Sequence, residues 1–212
     1  MCNHNGTIIR SDCCRLLAAC FYEPEKDLFL EEKVCDHLVG LLADTAPYAA
    51  RAAGEMAKAL RQIDQQELSR DHAALFLGPF ELVAAPYGSV YLDEGRRVMG
   101  DSTMEVARIY RQEGVAIDVG EPPDHIAIEL EFLSFLALKE ARAAADGMTG
   151  EAERCRRLQD RFLAGLLKPW VPAFCTAIRA GTDNRFYRAL ADCLEEGISA
   201  FGRRCGIPEA AN

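Results

Sequence analysis

Pro122-Pro123-Asp124-His125-Ile126-Ala127-Ile128-Glu129-Leu130-Glu131-Phe132-Leu133-Ser134-Phe135-Leu136 is the stretch on which the reading of the fold turns. The two prolines close an irregular segment, and the residues after them are apolar at almost every position around a helical turn. A helix with no polar face cannot lie on a surface, so this one is predicted to be central and buried. The other elements must then pack around it.

Outward from it, helical periodicity dominates. Cys13, Leu16, Leu17, Cys20 and Phe21 form one stripe, closed before Pro24. Val34, Leu38, Leu41 and Leu42 form another, ending before Pro47; Met56, Leu60 and Ile63 follow, then Leu68, His72, Leu75 and Phe76. Ser102 and Glu105 have capping-box spacing for a helix through Tyr110, with Gly114 suited to its left-handed end. Leu158, Phe162 and Leu166 mark the next helix. Val171, Phe174, Cys175 and Ile178 mark one ended by Gly181, and Phe186, Leu190, Leu194, Ile198 and Phe201 the last.

Two stretches break this pattern. Gly78–Gly100 mixes Pro79, Pro86, Gly88 and Gly95 with aromatics and is too apolar for an ordinary exposed loop. Val115–Pro123 alternates like a short strand but has no evident partner, and reads as a linker. The predicted fold is all-α: a single domain of about ten helices over 1–212. A hinge-like linker at about 115–123 divides an N-terminal helical set, about 1–114, from a C-terminal set, about 124–212.

Composition narrows the function. Of 212 residues, half are hydrophobic, which excludes disorder, and 24 Lys and Arg against 33 Asp and Glu leave a formal charge of −9. That balance opposes a nucleic-acid binder, which needs a basic surface, and suits a basic partner. Nine cysteines show no Cys-x-x-Cys pair and no histidine at metal-finger spacing, so they read as reduced thiols in a cytosolic protein. Leu17-Ala18-Ala19-Cys20 imitates a lipoprotein processing box, but Arg10, Asp12 and Arg15 stand where the apolar stretch of a signal peptide belongs. No uncharged apolar run is long enough to span a membrane.

Catalytic patterns are missing: there is no nucleophile elbow, phosphate-binding loop, dinucleotide fingerprint or paired-histidine metal spacing. His72 sits on an apolar stripe and is expected to be a packed, hydrogen-bonded residue. Glu129 and Glu131 are two apart and face different ways on a helix. Asp124-His125 at the start of the buried helix has two readings. Either Asp124 caps the helix and His125 packs, or an acid and an imidazole converge at a seam where a pocket forms.

Three segments carry a family resemblance. Leu75-Phe76-Leu77-Gly78-Pro79, Ala85-Pro86-Tyr87-Gly88-Ser89-Val90-Tyr91 and Glu121-Pro122-Pro123-Asp124-His125-Ile126-Ala127-Ile128-Glu129-Leu130 occur in the order and at the distances seen in the TorD/DmsD chaperones. The chain resembles that family over most of its length. The resemblance implies a non-catalytic cytoplasmic chaperone without a cofactor of its own. Its partner would be a molybdopterin oxidoreductase precursor and that precursor's twin-arginine leader, held until cofactor insertion is complete. It also implies a monomer or a domain-swapped homodimer. Two alternatives are an assembly chaperone of the nitrate-reductase type, whose client lacks an export leader, and a nucleotide-hydrolysing enzyme.

A leader joins a basic segment to a short apolar one. Leu75, Phe76, Tyr87 and Tyr91 are expected to line an apolar groove, with Ser89 and the Gly88 backbone as polar contacts. Glu121 and Asp124 are expected to take the arginines, with Asp71 a third candidate, and His125 to hold Asp124 or tune the site near neutral pH.

Overall fold

Helices form where the apolar stripes place them. The computed structural model describes residues 4–78, 82–116 and 120–201. In order, the helices are α1 His4–Ala19, α2 Lys26–Glu31, α3 Val34–Leu42, α4 Pro47–Gln62, α5 Gln65–His72, α6 Ser89–Leu92, α7 Asp101–Gln112, α8 Ile126–Ala145, α9 Thr149–Phe162, α10 Val171–Gly181 and α11 Arg185–Phe201. Two of them widen into a single π turn, α5 at Ala73–Leu77 and α9 at Leu163–Leu167.

The apolar helix α8 is the centre, as its pattern requires. It packs on α1 and α9, and Ile126, Ala127, Leu130, Leu133 and Leu136 are fully buried. Where α1 crosses it, Ser11 and Ser134 meet at 2.8 Å, so two small hydroxyls satisfy each other in the core. On the other side of the molecule the alanine-rich face of α4 (Ala49, Ala50, Ala53, Ala57) packs against α11. Because α1 and α4 lie before residue 114 and α8 and α11 after 124, the two helical sets share one core. The linker joins interleaved sets of helices. Its residues 117–119, with Ile117 and Val119 of the suspected strand, lie outside the described residues.

Two local expectations need correction. Ser102 and Glu105 do not form a capping box. α7 starts at Asp101, and both the backbone N–H and hydroxyl of Ser102 donate to Asp93, at 3.1 and 2.9 Å. A charged acceptor from across the turn displaces the weaker local hydroxyl, and Glu105 pairs instead with Arg108. Gly114 does take the left-handed end, at φ +76. The apolar stretch 78–100 is not a loop throughout. It contains the one-turn helix α6, and Ala84, Ala85, Ser89 and Val90 are buried.

Seven cysteines, Cys13, Cys14, Cys20, Cys35, Cys155, Cys175 and Cys193, are buried and unpaired, and burial raises their thiol pKa values. Cys2 and Cys205 lie outside the described residues. Among the described residues no helix is long and apolar enough to cross a membrane.

Candidate peptide-binding site

Prolines build the site. The residue before a proline is held extended, so Ala85-Pro86 and Glu121-Pro122-Pro123 each present a straight edge. The two edges pair as a single antiparallel bridge between Tyr87 and His125. The Gly88 N–H donates to the Asp124 carbonyl at 2.9 Å, and the Ile126 N–H to the Pro86 carbonyl at 2.8 Å. Tyr110 donates its hydroxyl to the Pro123 carbonyl at 3.1 Å, fixing the linker's end over α7.

The bridge decides the roles of Asp124 and His125. Asp124 is buried, and its Oδ2 accepts the Ser89 N–H at 2.7 Å. It therefore does not cap α8. His125 is the N-cap residue, its Nδ1 accepting the Ala127 N–H at 3.2 Å, which leaves the ring proton on Nε2. Burial drives its pKa down to about 4, outweighing the pull of Glu121 and Asp124, so the imidazole is neutral near pH 7. The expectation that His125 tunes the site near neutral pH is thereby corrected.

Around His125 two tyrosines complete a platform of rings. Tyr22, just past the end of α1, stacks on it at 6.1 Å with planes 13° apart. Tyr87 meets it edge-on at 5.4 Å and donates its hydroxyl to Glu121 at 2.8 Å. Burial and then the Glu121 hydrogen bond raise the Tyr87 pKa, as burial and Glu131 raise that of Tyr22. Tyr22, Tyr87 and Glu121 are half-buried and Glu131 is exposed, so the platform opens to solvent.

Glu121 accepts from Tyr87 and Glu131 acts on Tyr22, while Asp124 and Glu129 are buried at the start of α8. None forms an ion pair among the described residues, whereas Glu113, Glu151 and Glu195 each pair with arginine. The Asp124 Oδ1 and Glu129 Oε2 atoms are buried without a hydrogen-bond partner. Burial, reinforced by Asp124, raises the Glu129 pKa well above the usual carboxylate range. The arrangement concentrates acceptors and ring faces with no cation in place.

Some expected groove residues lie elsewhere. Leu75 and Phe76 belong to the core, where Phe76 contacts Phe21, Phe174 and Tyr187. Both side chains are buried and line no open groove; Pro79 lies outside the described residues. Ser89 is fully buried, and the Gly88 and Ser89 N–H groups are both spent on Asp124. Tyr91 stacks on Trp170 at 5.6 Å. Asp71 accepts from Asn184 at 2.7 Å and stands beside Arg70. His72 is packed as expected, within 3.3 Å of the Phe21 carbonyl. Tyr22 and Glu131 were not anticipated in the site: Tyr22 comes from a distant part of the chain, just past α1, and Glu131 stands on α8 itself with no local pattern that singles it out.

Residues 43–176 match the family described as nitrate reductase delta subunit. The chain is 28% identical over 166 residues to the Tat proofreading chaperone DmsD of Salmonella typhi, covering 77% of this chain and 74% of that one. It is 32% identical over 136 residues to the chaperone protein TorD of Photobacterium profundum, covering 63% and 62%, a little under two thirds of that relative. The fold is similar to a crystal structure from Archaeoglobus fulgidus assigned to redox enzyme maturation, with TM-score 0.56, 24% identity and coverage of 87% and 93%. The chain thus belongs to the nitrate reductase delta subunit family, and with TorD and DmsD to its maturation chaperones.

Proposed function

We propose that this maturation chaperone binds the twin-arginine leader of a molybdopterin oxidoreductase precursor through the ring platform at Tyr22, Tyr87 and His125. The observation that carries the proposal is that Glu121 and Glu131 have no ion-pair partner among the described residues and stand beside the tyrosines of an open aromatic surface. Carboxylates accept guanidinium groups in bidentate fashion, and ring faces attract the same cation. Glu121 is the outer acceptor. Asp124 lies behind it and acts by fixing the loop that carries Tyr87.

The proposed client also sets the setting and the chemistry. A leader is present only before export, which places the chaperone in the cytoplasm. The role is binding without turnover, a reading supported by the family relatives, which are named chaperones. A second reading is favoured by the family's own description, assembly of a nitrate-reductase-type client without an export leader.

Calorimetric titration with twin-arginine leader peptides, Lys-Lys versions and a scrambled control separates the two. Saturable binding that weakens on losing the arginines supports the leader reading. Folded protein that ignores every leader moves the function to the body of the client enzyme.

A further inference from the structure

We propose that Tyr22 and Glu131 form a second guanidinium subsite beside the one at Tyr87 and Glu121, so that two neighbouring arginines are read side by side across His125. The inference rests on the leader-binding reading and adds which residues count the arginines.

The geometry repeats itself about the imidazole. On one side Tyr87 touches the ring at 5.4 Å and its hydroxyl donates to Glu121. On the other Tyr22 stacks at 6.1 Å, and Glu131 is near enough for its charge to raise the Tyr22 pKa. Each half therefore offers a ring face and a carboxylate, the two features that a planar guanidinium uses together. Neither glutamate is neutralised by a described cation, and the buried Asp124 has an Oδ1 atom without a partner. The central ring is neutral and carries its proton on Nε2, so it separates two cations without repelling either.

Successive side chains of an extended peptide point to opposite sides. Two consecutive arginines then reach one half each. The two halves come from different parts of the chain: Tyr22 follows α1 and Glu131 stands on α8, whereas Tyr87 and Glu121 lie in the loop and the linker. A single arginine would fill one half and leave the other carboxylate unpaired.

The test is a cycle between protein and peptide. Leader peptides carrying Arg-Arg, Arg-Gln or Gln-Arg are titrated calorimetrically against the wild type, Glu121→Gln and Glu131→Gln, all checked for fold by circular dichroism. Each variant should bind the Arg-Arg peptide about tenfold more weakly, a loss near 1.4 kcal/mol. The Glu131→Gln loss should vanish on one mixed peptide and the Glu121→Gln loss on the other. An Arg-Arg affinity unchanged by Glu131→Gln, or both losses vanishing on the same peptide, overturns the second subsite while leaving leader binding intact. A wild type that binds no leader removes the leader reading. NMR titration with an Arg-Arg dipeptide amide then decides the subsite: shifts at both Tyr22 and Tyr87 uphold it, and shifts at neither or at Tyr87 alone overturn it.

Discussion

Asp124 accepts the backbone N–H of Ser89 at 2.7 Å, joining the start of the central helix to a one-turn helix that precedes it by 35 positions. With the Tyr87–His125 bridge beside it, this bond turns two Pro-bounded segments into one rigid edge. Removing the carboxylate leaves a buried donor unpaired, which costs about 1–3 kcal/mol. Asp124→Ala should therefore lower the urea midpoint as well as leader affinity, while Asp124→Asn, which keeps an acceptor, loses less of both. An Ala variant as stable as the wild type would show that the bond does not hold the edge.

Gly88 leaves no room for a side chain. A methyl group there would lie 3.1 Å from the Trp170 indole nitrogen, and the indole is fully buried. Gly88→Ala should cost about 1–3 kcal/mol by overpacking, read as a lower urea midpoint. Unchanged stability would mean that the Trp170 ring has space to move.

Burial holds His125 neutral, and this has a sign that can be checked. Its pKa falls from 6.5 to about 4 on folding, so the unfolded chain takes up its proton first as the pH drops. The His125 contribution is fully present above about pH 6.5 and is lost progressively toward pH 4. His125→Asn keeps a capping oxygen and removes the titration. Its stability loss between pH 7 and pH 5 should be smaller than the wild type's by about 2 kcal/mol. Identical losses would place the acid sensitivity in other groups. Leader affinity should also stay flat between pH 6.5 and 8, as measured by calorimetry.

Glu129 works in the opposite direction. Its pKa is raised by burial and by Asp124, so its stabilising contribution is present at low pH and falls as the pH rises above the unfolded carboxylate's value. Glu129→Gln keeps the shape and removes the ionisation. The variant should be more stable than the wild type at pH 8, and the gap should close toward pH 5. A variant less stable at pH 8 would show that the ionised carboxylate is needed by the fold.

Periodicity made the helices legible because burial of one stripe leaves a spacing that any reader can count. Cys13 to Phe21 and Phe186 to Phe201 lie where their stripes place them. The all-round apolar segment after Pro123 is the core helix for the same reason. Motif order pointed to Tyr87, Glu121, Asp124 and His125, and these four do come together. Their division of labour was not legible. Spacing could not say that Asp124 would turn to Ser89, because that bond links residues 35 apart. Nor could it reveal Tyr22, whose approach to His125 depends on α1 crossing α8. Leu75 and Phe76 belonged to the motif for packing, and a contiguous motif does not distinguish packing from contact.

The most direct test of the account is photo-crosslinking of a leader peptide with a photoreactive residue beside its two arginines, read by mass spectrometry on the intact chain. The account predicts crosslinks at Tyr22, Tyr87 and the 121–125 segment, lost on competition with unlabelled leader. Specific crosslinks confined to the cleft of about 340 Å³ lined by Lys168, Val171, Pro172, Glu195, Glu196, Ile198 and Ser199 would contradict it.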